Sequence, residues 1–171
     1  MAARDFWVFG YGSLIWRPGF DYLEQRRARI FGHHRAMCIY SHLYRGTAAR
    51  PGLVAGLVPG GSCCGIAFRV AGGKRHAVIG YLHDREMIDD VYIPTWLNAR
   101  IGPRRVRALA YVANRRSDRF AGERPLAEAA TVINGARGSE GTGREYVENI
   151  VAHLDDIGIP DGTLHRLLAL M

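Results

Sequence analysis

The spacing of the apolar residues changes along the chain, and this change constrains the fold more than any other feature of the sequence. Short runs of aromatic and β-branched residues, which are typical of strands, fill most of the first two thirds, with one helical pattern among them at 74–86. Three further helical patterns follow at 126–136, 146–154 and 164–170, the last preceded by Asp161 as an N-cap. Because strands come early and helices late, this order predicts an α+β domain and not an alternating βαβ sheet.

Glycine and proline help to set the bounds of the predicted strands. These strands are residues 6–10, 29–41, 53–58, 64–70, 91–101 and 106–114. Gly32 predicts a bend within the second of them. The Pro-Gly-Gly-Ser sequence at 59–62 is typical of a tight turn, so we expect the strands on either side of it to form a hairpin.

The length and composition are those of one globular domain. With 171 residues, 48% of them hydrophobic, the chain can bury a core without a metal or a disulfide, so we predict a single domain over residues 1–171. No apolar run reaches the ~18 residues of a membrane span. The N-terminal residues include no separate apolar stretch with a cleavage site, so we expect no secretory leader. Three cysteines without metal-ligand spacing, Cys38, Cys63 and Cys64, predict reduced thiols and a cytoplasmic location.

The chain is basic, with a formal net charge of +7 that comes almost entirely from arginine. Lys74 is the only lysine, and the arginines form short separated groups instead of one long basic block. We therefore expect no nucleic-acid partner, although a basic binding module remains an alternative. None of the seven histidines has metal-ligand spacing, so we expect no metal site.

A glycine-containing loop directly follows the first predicted strand, at Gly10-Tyr11-Gly12-Ser13. A dinucleotide fingerprint would need glycine where Ile15 stands, and neither a phosphate P-loop nor a G-x-S-x-G nucleophile elbow is present. The backbone N–H groups of such a loop can hold a carboxylate or an oxyanion. The alternative is a tight turn with no function.

Glu86 is the second feature that indicates chemistry. It lies at the C-terminal end of the predicted helix, with Leu82 one turn earlier on the same, apolar face. An apolar surrounding disfavours the charged carboxylate and raises its pKa, which suits a general acid–base. The alternative is a solvated glutamate paired to a nearby arginine.

Several segments, taken in chain order, resemble one family. They are residues 8–18 (VFGYGSLIWRP), 44–46 (YRG), 65–70 (GIAFRV), 81–82 with 85–86 (YL and RE), 108–112 (ALAYV) and 141–147 around Glu145-Tyr146. In this order they resemble the ChaC proteins, the glutathione-specific γ-glutamylcyclotransferases, over about residues 6–170. The resemblance implies a small mixed β-barrel with surrounding helices. It also implies a cofactor-independent reaction that converts glutathione into 5-oxoproline and cysteinylglycine.

The resemblance also implies roles for individual residues. Glu86 is the expected catalytic residue, and the glutamyl-binding loop is expected to consist of Tyr11, Gly12, Ser13 and Leu14. Arg45 is a candidate ligand for a glutathione carboxylate, because its planar fork matches that group. Tyr146 is expected to donate a hydrogen bond to the substrate, with helix packing as the alternative. A related cyclotransferase for other γ-glutamyl amino acids or amines is an open alternative, and the oligomeric state is not predicted.

Two positions depart from the family pattern. Gly143 stands where many relatives have asparagine, and Tyr44 stands where relatives often have histidine. Specificity for glutathione over other γ-glutamyl compounds therefore follows less directly from the resemblance than the reaction class does.

Overall fold

The computed structural model describes residues 4–171, and its five long strands close into one barrel. These strands are β1 (Phe6–Gly10), β2 (Glu24–Ser41), β3 (Gly52–Val70), β4 (Tyr92–Ile101) and β5 (Arg104–Ala113). Their order around the barrel is β1-β3-β2-β4-β5. Because β1 pairs antiparallel with β3 and parallel with β5, the barrel is mixed, which confirms the predicted α+β barrel. Residues 1–3, on which the expectation of no leader partly rests, lie outside the described residues.

Within residues 4–171, four α-helices accompany the barrel, and the apolar spacing of the sequence predicted each of them. They are α1 (Arg75–Glu86), α2 (Leu126–Asn134), α3 (Gly143–Asp156) and α4 (Gly162–Ala169). The Asp161 carboxylate accepts the N–H groups of Thr163 and Leu164, which confirms the predicted N-cap. No helix within the described residues is long and apolar enough to cross a membrane.

The predicted hairpin at 53–70 is wrong, because β3 is one continuous strand through residues 59–62. Gly60 and Gly61 both have positive φ, at 105° and 67°, so the glycines that suggested a chain reversal instead let an extended strand bend. At this bend the Gly60 carbonyl oxygen lies 2.9 Å from a ring nitrogen of His34, which belongs to β2. Gly32, with φ of 83°, provides the bend expected within β2.

The chain divides into two compact units. The first contains the described residues up to Arg35 together with Leu57–Asn114. Its core packs α1 against the barrel strands through Val8, Leu82 and Leu109. The second unit contains Ala36–Gly56 and Arg115–Met171.

The second unit holds α2, α3 and α4, with a core of fully or almost fully buried aliphatic side chains: Ile133, Ile150, Leu154 and Leu167. Two short paired strands precede α3, namely β6 (Arg137–Gly138) and β7 (Gly141–Thr142). Thr142 then begins α3 with a capping box, in which its hydroxyl accepts the Glu145 N–H and the Glu145 carboxylate accepts the Thr142 N–H.

Candidate active site

The loop after β1 starts from a rigid position in the first unit. All five residues of β1 are buried, and the strand pairs with β3 on one side and β5 on the other. A side chain at Gly65 of β3 would place its Cβ only 2.3 Å from the Gly10 carbonyl oxygen, so the two backbones can approach closely only because glycine is present. The loop continues as a 3₁₀ turn over Ser13–Ile15, with Leu14 buried beneath it.

Hydrogen bonds from two side chains, those of Arg35 and Tyr11, fix the start of this loop. Arg35 donates one hydrogen bond from Nε to the Tyr11 carbonyl oxygen and another from Nη2 to the Cys64 carbonyl oxygen, both at 2.7 Å. The buried Tyr11 hydroxyl donates to the backbone carbonyl oxygen of Tyr111 on β5, at 2.6 Å. The loop is therefore fixed to β3 and β5 before any ligand is present.

Arg85 connects this loop to the end of α1. Its Nη2 donates to the Ser13 hydroxyl at 3.0 Å, and its Nη1 donates to the Arg17 carbonyl oxygen at 2.5 Å. Its Nε lies 3.2 Å from Oε1 of Glu86. One guanidinium thus joins the predicted binding loop to the predicted catalytic carboxylate. In the sequence, Arg85 stands out only as a member of the 85–86 segment of the family resemblance, which predicts no role for its side chain.

Glu86 is a carboxyl group held mostly out of water. Val78 and Leu82 bury the same side of α1, and only 17% of the Glu86 side chain is exposed. Burial raises the pKa of Glu86, and the neighbouring Arg85 charge opposes that shift without cancelling it. Both interpretations of this residue were therefore partly right, because it is buried on an apolar face and also paired with an arginine.

Tyr111 lies near Glu86 and was not singled out from the sequence. The residue is 2% exposed, and its hydroxyl has no hydrogen-bond partner among residues 4–171. Burial, and then the nearby charge of Glu86, raise the pKa of this hydroxyl, so it stays protonated at neutral pH. Tyr111 lies in the 108–112 segment of the family resemblance, but a tyrosine within an apolar strand looks like an ordinary core residue, so the sequence indicated no role for its hydroxyl.

Arg45 and Tyr146 are neighbours in the second unit. Arg45 is 8% exposed, its Nη1 donates to the Thr142 carbonyl oxygen at 3.3 Å, and its guanidinium carbon lies 5.6 Å from the centre of the Tyr146 ring. The Tyr146 hydroxyl accepts the Ala55 N–H at 3.1 Å. The structure therefore brings these two predicted residues together, and each already has partners within the protein.

Comparison with known proteins identifies the family. A family model described as ChaC-like protein matches residues 6–171. The chain belongs to the ChaC-like family. The glutathione-specific γ-glutamylcyclotransferase of Escherichia coli is 32% identical over 163 residues, which cover 95% of this chain and 71% of the relative. The human glutathione-specific γ-glutamylcyclotransferase 1 is 33% identical over 146 residues, covering 82% of this chain but 66% of the relative.

Solved structures agree with this assignment at the level of the fold. The crystal structure of a γ-glutamyl cyclotransferase specific to glutathione from yeast superimposes with a TM-score of 0.90 at 23% identity, over 98% of the ChaC-like chain and 95% of the yeast chain. Another structure, a γ-glutamyl cyclotransferase, matches with a TM-score of 0.61 at 12% identity. These matches confirm the γ-glutamylcyclotransferase-like barrel.

The structure explains one of the two departures from the family pattern. At Gly143 of the ChaC-like chain, a Cβ would lie 2.7 Å from the Ile133 carbonyl oxygen, so α2 leaves no space for an asparagine side chain. Tyr44 is exposed, and its backbone carbonyl oxygen accepts the Glu140 N–H at 2.9 Å. Nothing in the structure explains the choice of tyrosine over histidine at that position.

The remaining nucleophilic and metal-binding side chains of the ChaC-like chain are dispersed. Cys38, Cys63 and Cys64 are free thiols, and burial raises the pKa of Cys38 to about 12, which makes it a poor nucleophile. Across residues 4–171, no three histidine, cysteine, aspartate or glutamate side chains come together as a group that could hold a metal ion.

Proposed function

We propose that this chain is a cofactor-independent γ-glutamylcyclotransferase that cleaves glutathione into 5-oxoproline and cysteinylglycine. One observation carries the proposal: a buried carboxyl with a raised pKa, Glu86, is joined through Arg85 to a glycine-containing loop that can bind the substrate. The family supports it, because the E. coli and human relatives bear this activity in their names.

The proposed reaction needs one proton carrier and a fixed geometry. The substrate's α-amino nitrogen attacks its own γ-glutamyl carbonyl carbon, a five-membered ring closes, and the bond from that carbon to the cysteine nitrogen breaks. Holding both groups in one chain gives a high effective molarity. Glu86 takes a proton from the α-ammonium group before attack and returns it to the leaving nitrogen. The second proton, which the attacking nitrogen loses on ring closure, passes through Glu86 in the same way, so that cysteinylglycine leaves as an ammonium group and 5-oxoproline as a neutral lactam. No water is consumed, and no electrons are transferred.

The loop and Arg85 have supporting roles in this proposal. The backbone N–H groups of Gly12 and Ser13 hold the α-carboxylate of the glutamyl group, as a glycine-containing loop can do. Tyr11 and Leu14 anchor the two ends of the loop, because both side chains are buried. Arg85 keeps the Ser13 hydroxyl and the Glu86 carboxylate in fixed positions.

Arg45 and Tyr146 remain proposed substrate ligands. The guanidinium fork of Arg45 matches a carboxylate, and its contacts with Thr142 and Tyr146 keep it in one orientation. A pre-oriented arginine loses less entropy when it binds a carboxylate than a mobile one does.

Incubating the purified protein with glutathione and measuring the products by mass spectrometry tests the proposal. We expect 5-oxoproline and cysteinylglycine in equal amounts, and no glutamate. Parallel incubations with γ-glutamyl dipeptides and a γ-glutamyl amine test the alternative substrates. Release of free glutamate would indicate hydrolysis instead of cyclisation, and turnover of the other compounds in preference to glutathione would favour the alternative cyclotransferase.

A basic binding module is the second candidate, and one observation favours it. Three exposed arginines form a row across adjacent strands, since Arg29 pairs with Arg100 and Arg100 pairs with Arg105. Like charges placed opposite each other are unfavourable unless an anion binds between them. We nevertheless propose a cytoplasmic enzyme without a nucleic-acid partner, because a binding module does not need Glu86. RNA binding that weakens steeply as salt is added would support the second candidate instead.

A further inference from the structure

The Tyr111 hydroxyl is a buried polar group that the fold leaves without a partner. It is enclosed in the cluster that α1 forms with β1 and β5, and no acceptor or donor within residues 4–171 bonds to it. A buried hydroxyl without a hydrogen bond costs about 1–3 kcal/mol relative to one that has a partner. Phenylalanine would fill the same space without this cost, so packing alone does not account for the hydroxyl.

Tyr111 lies where the first strand ends and the candidate binding loop begins. The parallel register of β1 and β5 pairs Val8 with Leu109, so Tyr111 comes two residues further along, beside the start of the loop. The Tyr11 hydroxyl bonds the Tyr111 backbone at 2.6 Å, and the ring of His83 from α1 packs edge-on against the Tyr111 ring at 6.1 Å. Tyr11 therefore fixes the Tyr111 backbone, and α1 packs against the Tyr111 ring.

Glu86 is within electrostatic range of this hydroxyl but does not bond to it. A proton-accepting carboxylate and a neutral hydroxyl donor, which has no partner among the described residues, therefore lie near each other in the unit that contains the candidate binding loop. Cyclisation requires this combination, because a proton leaves the attacking nitrogen while negative charge develops on the carbonyl oxygen.

We infer that the Tyr111 hydroxyl donates a hydrogen bond to the γ-glutamyl carbonyl oxygen of the substrate and stabilises the negative charge on that oxygen during attack. The inference rests on the proposed function. As the nitrogen attacks, the carbonyl π electrons move onto the oxygen, and they return when the bond to the leaving nitrogen breaks. Tyr111 keeps its proton throughout, and Glu86 carries the transferred proton. The same oxygen becomes the lactam oxygen of 5-oxoproline.

The Tyr111→Phe variant removes only the hydroxyl, so it tests this role directly. We expect kcat for glutathione to fall about a hundredfold or more, as on removal of other oxyanion donors, with little change in KM. The acidic limb of the pH profile, which Glu86 sets, should not move. The melting temperature should stay the same or rise, because the lost group had no partner.

Tyr40→Phe serves as the matched control, since its hydroxyl is paired with Arg124 in the second unit. We expect this control to melt at a lower temperature and to keep a kcat within about threefold of the unmodified protein. The inference is overturned if the kcat of Tyr111→Phe stays within about threefold of that of the unmodified protein, or if only its KM changes. If the unmodified protein does not cyclise any γ-glutamyl compound, the proposed function fails and the inference fails with it. If the unmodified protein and Tyr111→Phe both turn over glutathione at the same rate, the inference is overturned and the proposed function stands.

Discussion

The buried polar side chains of the candidate site residues are paired to different extents in the two units. In the first unit, Glu86 is desolvated with only partial compensation from Arg85, and the Tyr111 hydroxyl has no partner within the described residues. In the second unit, Arg45 bonds the Thr142 carbonyl oxygen and lies over Tyr146, whose hydroxyl accepts a backbone N–H. Both regions matched the family pattern, yet of these four side chains only the two in the first unit are left incompletely satisfied by the described residues.

This difference distinguishes candidate site residues that need a ligand to complete their interactions from those that the protein already holds in place. Polar groups buried without compensation reduce stability, and they concentrate at sites where a substrate completes their interactions. Polar groups that satisfy one another stabilise a local geometry. We therefore expect substitutions in the first unit to affect activity more than stability, and substitutions around Arg45 to affect both.

The largest effect is expected from Glu86→Gln. The amide has nearly the same shape but cannot accept the proton, so the rate should fall by about 10²–10⁴. Because the folded-state pKa of Glu86 lies above its unfolded value, ionisation at neutral pH reduces stability, and the neutral amide should melt at the same or a higher temperature. Asp84→Asn, at an exposed position on the same helix, is the control and should keep full activity. Normal activity of Glu86→Gln would exclude this residue as the proton carrier.

Arg45→Ala should produce a smaller and mixed effect. Loss of its contacts with Thr142 and Tyr146 should lower the melting temperature. Loss of a charged hydrogen bond to a carboxylate, worth ~1.5–3 kcal/mol, should lower kcat/KM for glutathione by roughly ten- to a hundredfold. A γ-glutamyl amine without the distal carboxylate should be affected much less.

The control for this experiment is Arg50→Ala, at an exposed arginine a few residues later. It should change neither the melting temperature nor kcat/KM for glutathione. Equal losses on the two substrates would mean that Arg45 supports the fold and does not bind the substrate carboxylate.

Arg85→Met should shift the pH dependence of the reaction. The positive charge of Arg85 lowers the pKa of Glu86 against the larger effect of burial, so its removal should raise that pKa further. The base form of Glu86 is lost as pH falls through its pKa, and the acidic limb should therefore move to higher pH. Arg85→Lys keeps the charge but not the fork to Ser13, so its acidic limb should move less. If the acidic limb of the pH profile lies at the same pH in the unmodified protein, Arg85→Met and Arg85→Lys, the activity does not report the ionisation of Glu86.

The smallest effect is expected from chelation. Prolonged treatment with EDTA, followed by removal of the chelator, should leave the glutathione-cleaving rate unchanged, because the proposed chemistry uses only a carboxyl group and hydrogen-bond donors. A loss of activity that zinc restores would contradict this prediction.

Patterns of neighbouring residues predicted much of this structure. The features that they did not predict depend on contacts between residues that are distant in sequence. The buried face of α1 and the Asp161 cap depend on residues within one or two turns, and both were predicted. The hairpin was wrong because pairing of β3 with its neighbours outweighs the turn preference of 59–62. Arg45 meets Thr142 across 97 residues, and no local spacing encodes such a contact.

The same dependence on distant partners governs the order in which the chain can fold. The apolar segment Phe6–Gly10 leaves the ribosome well before residues 66–70 and 108–109, with which it pairs. The Tyr11 hydroxyl bonds a carbonyl 100 residues later. At synthesis rates of about 5–20 residues per second, this segment remains without its last partner for roughly 5–20 s. Closing such non-local pairs is slow, so during translation this first strand is an unpaired apolar segment that is open to aggregation and to capture by chaperones.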